Sequence, residues 1–359
     1  MNLFVQIIGW GLVILALTDI YLTVLRPRAN SALLSVKISR AIWQFFRLAV
    51  RIVPLKKGQL LSHSGSIILI AIVVAWVLLL LFGFALIVWQ DLGSGIQASQ
   101  GQTPTDFLTA LYYSGFSLTT LGTGDIVPKT DNYRLLMILQ AALGFSTFTL
   151  TITYILSIYS ALIRRNTFAL SLYHRADDMA DSAEMLARLA ADNSVNNIQQ
   201  DISNIARDLM NLLETQNSYS VLVYFRFQQT YYALPRIAYL AMDTATLIKT
   251  ALDVEQYRSI VNSSATAELW NGGLHLLVEV SKTLLPKRRL NYRKKNEQAW
   301  RARYYRALER LKAEGIKTAK DPEAGALSYI SLRHEWAPHL SNIKDYMQYE
   351  WSEIAPTEY

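Results

Sequence analysis

The chain has 359 residues, 52% of them hydrophobic, a net charge of +7 and no cysteine. The missing cysteines exclude disulfides, thiolate metal sites and cysteine nucleophiles. The five histidines, His63, His174, His275, His334 and His339, lack metal-ligand spacing. The length allows two or three domains, and the hydrophobicity predicts that part of the chain lies in a membrane and part outside it.

Leu3 to Leu25 is apolar and long enough to span a bilayer. It has no basic start and no small-residue cleavage site, so residues 1–25 read as an N-terminal transmembrane helix and not a signal peptide. Its one charge, Asp19, is expected to pair with Arg26 at the interface. Residues 26–65 form a basic linker with Arg26, Arg28, Lys37, Arg40, Arg47, Arg51, Lys56 and Lys57 and no acid. The positive-inside rule makes this linker cytoplasmic and the N-terminus external. Arg40, Gln44, Arg47 and Arg51 share one face of a predicted helix, with Ile38, Ile42, Phe45, Phe46, Ala49, Ile52 and Val53 around the rest. That pattern fits a helix lying in the inner membrane surface. The arginine at every third residue that a voltage sensor needs is missing. Pro54 is expected to stop the helix.

Ser66 to Gln90 carries no charge and predicts an outer helix over 66–90, with Trp89 at the interface. A polar, Gly-rich stretch follows to Gln102. Thr103-Pro104-Thr105-Asp106 then reads as a helix start capped by Thr103, with the helix over 104–118. At roughly 20 Å it reaches mid-membrane and no further, and its C-terminal partial negative charge favours a cation. Thr119-Thr120-Leu121-Gly122-Thr123-Gly124-Asp125 is neither helix-like nor strand-like. Gly122 and Gly124 reach positive φ at little cost. A backbone of alternating hand turns its carbonyls to one side, and a ring of such carbonyls replaces the water shell of a cation. Bare backbone at membrane depth is tolerated where it is buried or lines a wet path. The stretch therefore predicts an ion-conducting loop, against the plainer reading of a Gly-rich turn in a membrane hairpin.

Ala110-Leu111-Tyr112-Tyr113-Ser114, Ser117 to Asp125 and Pro128 together resemble the pore helix and selectivity filter of the two-transmembrane potassium-channel pore family. The family filter reads Thr-Val-Gly-Tyr-Gly-Asp. Thr120, Gly122, Gly124 and Asp125 match it, Leu121 is a conservative change, and Thr123 stands where the family has Tyr or Phe. The resemblance covers roughly Ser66 to Arg165, under a third of the chain. It implies potassium bound by the carbonyls of Thr120, Leu121, Gly122 and Thr123 within a filter 119–125. Tyr112, Tyr113, Phe116, Thr119 and Asp125 would support that filter, and Gly144 falls at the family's gating-hinge position. In the family the aromatic at the position of Thr123 packs behind the filter. Threonine is too short for that gap, and Phe116 is expected to fill part of it. One chain supplies one loop and the family pore uses four, so the resemblance implies a homotetramer.

Leu135 to Ile163 is a second charge-free run, giving an inner helix over 133–163 and a pore domain over 66–165. Ser146, Thr147, Thr149, Thr151 and Thr153 are too many hydroxyls for a lipid-facing helix, so several should face a wet cavity or a neighbouring helix. Arg164-Arg165 marks the cytoplasmic exit. Residues 166–359 contain no long charge-free run and read as a soluble all-α cytoplasmic domain. Val195, Ile198, Ile202, Ile205, Leu209 and Leu212 form a heptad seam after Ser194 as N-cap. Val221 to Met242 reads as buried helix broken at Pro235, and Trp300, Tyr304, Leu308 and Leu311 as another helical stripe. Lys287, Arg288, Arg289, Arg293, Lys294 and Lys295 form a basic cluster suited to solvent or to anionic lipid. No nucleic-acid recognition fold accompanies it.

The sequence thus predicts an all-α membrane protein: a tetrameric pore-loop channel with an extra N-terminal helix. It would conduct potassium passively in a bacterial inner (plasma) membrane, with no cofactor beyond the permeant ion. Its expected partners are its own copies, membrane lipid and an unidentified regulatory ligand. A weakly selective cation channel and a non-conducting membrane-anchored sensor or scaffold are the alternatives. No nucleophile, phosphate loop or paired-carboxylate constellation points to an enzyme.

Overall fold

The computed structural model describes residues 2–26, 32–52, 57–190, 195–284 and 297–356. The chain forms two compact units, Met1–Gln44 with Ser66–Tyr159, and Phe45–Gly65 with Ser160–Tyr359. Among the described residues, three helices are long and apolar enough to cross a membrane. They are α1 (Asn2–Ile20), prolonged by a π-helical turn Tyr21–Leu25, α4 (Ser64–Val88) and α6 (Asp131–Arg175). The protein is an all-α membrane protein.

In the first unit α1 packs on α4 through glycine. A Cβ on Gly9 would lie 2.6 Å from the Gly83 carbonyl oxygen, and one on Gly83 would lie 2.9 Å from that of Gly9. Small residues allow this approach where lipid gives no hydrophobic drive for helix association. Val13 and Ala16 of α1 are buried with Leu80, Phe84 and Ile87 of α4. A carboxylate closes each end of the contact. At one end Asp91 accepts from Gln6 Nε2 at 3.3 Å and from the Tyr133 hydroxyl. At the other, Asp19 is fully buried.

Asp19 has partners beyond the expected Arg26. Its carboxylate accepts from the Leu33 and Leu34 amides at 2.8 and 2.7 Å, the Ser35 hydroxyl at 2.5 Å and the Trp76 indole at 2.8 Å. It thereby serves the N-terminus of α2 (Ser35–Ile52), where first-turn amides have no partner within the helix and the dipole favours an anion. Trp76 in turn packs 6.1 Å from the Tyr154 ring of α6. Pro54, the expected stop of α2, lies outside the described residues, as do Ser194 and the basic cluster at 287–295. Helix α3 (Lys57–Ser62) precedes α4.

Between α4 and α6 lie a 3-10 turn Trp89–Asp91, strand β1 (Ile96–Ala98), helix α5 (Phe107–Leu118) and strand β2 (Ile126–Pro128). The strands pair antiparallel, Gln97 opposite Val127. At three residues each they are too short for an alternating pattern to announce them. Helix α5 starts three residues later than the expected 104. Asp106 caps it, its carboxylate accepting from the Thr109 amide at 3.0 Å, while the hydroxyl of Thr103 accepts from the Ala98 amide instead. Helix α6 begins at Asp131 and runs past Ile163 to Arg175. Arg164 and Arg165 change the polarity of the helix without breaking it, because arginine is a good helix former.

The second unit is a helical assembly: α7 (Ser182–Leu189), α8 (Val195–Ser218), α9 (Leu234–Ala251), α10 (Arg258–Val261), α11 (Ser264–Leu284), α12 (Glu297–Ala313), α13 (Pro322–Tyr346) and α14 (Trp351–Ile354). The heptad face of α8 is buried from Ile198 to Leu212, against α11. The reading of Val221 to Met242 needs correction: Pro235 opens α9, and 3-10 turns at Ser220–Tyr224 and Thr230–Tyr232 precede it. Proline lacks the N–H that a first turn leaves unused. The core holds a polar cluster. Asp243 accepts from the Tyr329 hydroxyl at 2.5 Å and from Arg303 at 3.3 Å, and Arg303 also reaches Asp181 at 2.6 Å. The Arg333 guanidinium sits 4.9 and 4.8 Å from the Trp300 and Trp336 rings.

Candidate functional site

The loop after α5 begins as a helix cap. The Leu121 amide donates to the Phe116 carbonyl at 3.0 Å and the Thr120 amide to that of Ser117 at 3.3 Å, with Thr120 at φ 58°. This is the Schellman arrangement, with a β-branched residue where glycine is usual. Such a residue at positive φ is strained by about 1–3 kcal/mol. Gly122 and Gly124 follow at φ 60° and 74°, while Leu121 and Thr123 are not at positive φ. The hand of the backbone therefore alternates from 120 to 124.

Among the described residues no donor reaches the carbonyls of Thr120, Leu121, Gly122 or Thr123. The run ends at Gly124, whose carbonyl accepts from the Ser99 hydroxyl. The next carbonyl, of Asp125, accepts from the Ser99 amide at 2.7 Å. Ser99 lies beyond β1 and reaches the loop because β1 pairs with β2. No signal in the sequence singles it out.

Thr123 does not reach toward the α5 aromatics. Its hydroxyl donates to Asp125 Oδ1 at 2.5 Å, and the Ile126 amide donates to the same oxygen at 3.0 Å. The Thr123 hydroxyl is the main reason the Asp125 carboxyl is held below its ordinary value, and the Tyr112 hydroxyl acts in the same direction. Behind the loop the Phe116 ring lies 5.3 Å from that of Tyr112 and 5.2 Å from that of Tyr113, each edge to face. Tyr113 and Phe116 are buried with Ala85, Val88, Ile96 and Ile126. The Thr119 hydroxyl donates back to the Gly115 carbonyl at 2.9 Å.

Gly144 faces the end of α5. A Cβ there would lie 1.9 Å from the Leu118 carbonyl oxygen and 2.7 Å from its carbon. The helix is unbroken through this residue. Of the α6 hydroxyls, Thr147 and Thr151 are buried, whereas Thr149 and Thr153 are exposed. The exposed pair donate to the carbonyls one turn earlier, each at 3.0 Å. Such back-bonded hydroxyls are satisfied in any environment.

Among the described residues, then, a loop of unpaired carbonyls sits at the end of a short helix between two membrane-length helices. Residues 67–161 match the family model described as "Ion channel" (Ion_trans_2). The chain is also 32% identical over 129 residues to an uncharacterized membrane protein, YdjJ, of Bacillus subtilis (strain 168). That similarity covers 35% of this chain and 38% of the relative. No solved structure matches.

Proposed function

We propose that the protein is a passive cation channel that prefers potassium. The observation that carries this reading is the run of four unpaired carbonyls, Thr120 to Thr123, on a backbone of alternating hand. Potassium is the cation that such carbonyl rings dehydrate best in the family pore that this segment resembles. One chain supplies one face of the ring, so the working form is a homotetramer with α6 toward the axis. The eight basic residues of the 26–65 linker favour a cytoplasmic linker and C-terminal unit with the N-terminus outside, in a bacterial plasma membrane. Anionic lipid suits the basic segments, the ligand that gates the pore belongs on the helical unit, and Gly144 serves as the hinge. Thr123 favours a second, looser reading within the same class. Its bond to Asp125 braces the outer end of the loop from one side, without the aromatic belt, so sodium is excluded less sharply. Purified protein in liposomes tests the reading. Potassium-driven flux is expected, and liposomes that carry none would leave a membrane-anchored sensor or scaffold.

A further inference from the structure

Within the second unit, α6 and α8 flank a half-open cavity of about 200 Å³, lined by Ile163, Arg164, Arg165 and Phe168 on one side and by Asp208 and Asn211 on the other. Arg165 is only 3% exposed. Its terminal nitrogens donate to the carbonyls of Leu222 and Phe225 at 3.0 and 2.9 Å, and its Nε is buried without a partner. Among the described residues it forms no ion pair, and neither do the exposed Arg164 or the half-buried Asp208. The Arg165 guanidinium is met by those carbonyl dipoles and by the Phe227 ring, 5.3 Å away, and no described carboxylate compensates its charge, which is costly. An anion alone would complement the arginines but face Asp208, and a cation alone would face the arginines. The lining suits a ligand that carries both charges.

We infer that this cavity binds a zwitterion that joins a phosphate to a protonated amine, the chemistry of a phosphoethanolamine headgroup. The phosphate lies against the Arg164 guanidinium, which is free to pair with it bidentately, beside the positive charge of Arg165. The ammonium donates to Asp208, and Asn211 completes the polar wall. Ile163 and Phe168 leave an apolar margin for glycerol and acyl carbons. Arg164 lies about 50 Å along α6 from Asp131, counted at 1.5 Å per residue. A bilayer with its headgroups is about 40–45 Å thick, so a helix tilted by about 30°, within the usual range, brings Arg164 to the level of the inner headgroups. That placement rests on the membrane reading of α6. The binding test does not involve ion flux, so the two can fail separately.

The test is binding of lipids with matched acyl chains to purified full-length protein in detergent, followed by native mass spectrometry and melting temperature. Phosphatidylethanolamine should bind about tenfold tighter than phosphatidylglycerol, which lacks the amine, and phosphatidylcholine, whose amine has no N–H to donate. Asp208→Asn should abolish the advantage over phosphatidylglycerol, and Arg164→Gln should weaken both lipids together. Neither side chain is buried, and an unchanged melting temperature without lipid verifies that each variant folds. Free phosphoethanolamine that competes with the lipid would assign the same contacts to a soluble ligand. No binding of phosphatidylethanolamine, equal binding of all three lipids, or an advantage that survives Asp208→Asn overturns the inference.

Discussion

Gly144→Ala sets two effects of opposite sign against each other. Inside a helix, alanine is favoured over glycine by about 1 kcal/mol. If Gly144 served only as a flexible point, the substitution would stabilise α6 by that amount and stiffen it. The structure opposes this, because the new Cβ would fall 1.9 Å from the Leu118 carbonyl oxygen. Ordinary van der Waals contact begins near 3.4 Å, so the two helices must part by roughly 1.5 Å, and the obstructing atoms are backbone that cannot rotate away. Overpacking of this kind typically costs about 1–3 kcal/mol, and rigid backbone puts this case at the upper end. The net expectation is a loss of about 1–2 kcal/mol and a displaced candidate filter. Gly11→Ala is the control: no atom lies within 4 Å of its Cβ position, so it should gain about 1 kcal/mol. Melting temperature of the detergent-solubilised protein and potassium flux in liposomes read both consequences. A Gly144→Ala protein as stable as the Gly11→Ala control, with unchanged flux, would refute the close-contact account.

Other substitutions probe the rest of the molecule. Ile205→Asp places a charge on a residue only 2% exposed and should cost several kcal/mol, read as a large fall in melting temperature. Asp243→Ala leaves Arg303 without its fully buried carboxylate partner and should destabilise the second unit by about 3–5 kcal/mol. Glu184 is held below its ordinary value first by hydrogen bonds from Arg310, then by Arg188. Its contribution to stability is therefore full above about pH 4.5 and is lost as pH falls through the lower folded value. Glu184→Gln should flatten the acid side of the stability profile and leave the slope at neutral pH unchanged. A cysteine introduced near Gln59 should resist labelling from outside intact cells; the native chain has no cysteine to interfere.

The three membrane-length helices were legible because long apolar runs with at most one charge are a one-dimensional signal. So was the α8 seam, since heptad spacing maps directly onto a helix face. Helix ends were less legible, because competing caps lie close together. Thr103 and Asp106 both suit an N-cap, and the choice fell to Asp106 once the Ala98 amide engaged Thr103. Pro235 shows the same ambiguity: the residue that breaks a helix is also favoured in its first turn. At the candidate site the glycines announced the loop. The Thr123–Asp125 bond lies two residues apart, yet its direction depends on a backbone hand that composition does not encode. Ser99 and the Asp19 cap were hidden for another reason. Each depends on chain segments brought together by packing, and no local spacing records that.

The most direct test of the account is the reversal potential of the purified protein in bilayers under opposed potassium and sodium gradients, compared with that of Thr123→Val. Potassium preference is expected in the native protein, weaker than an aromatic-belted filter gives. The valine variant loses the bond to Asp125 and should move further toward equal permeability. Anion selectivity, or a reversal potential at zero in both proteins, would contradict the assignment of the Thr120–Thr123 carbonyls as the conducting ring.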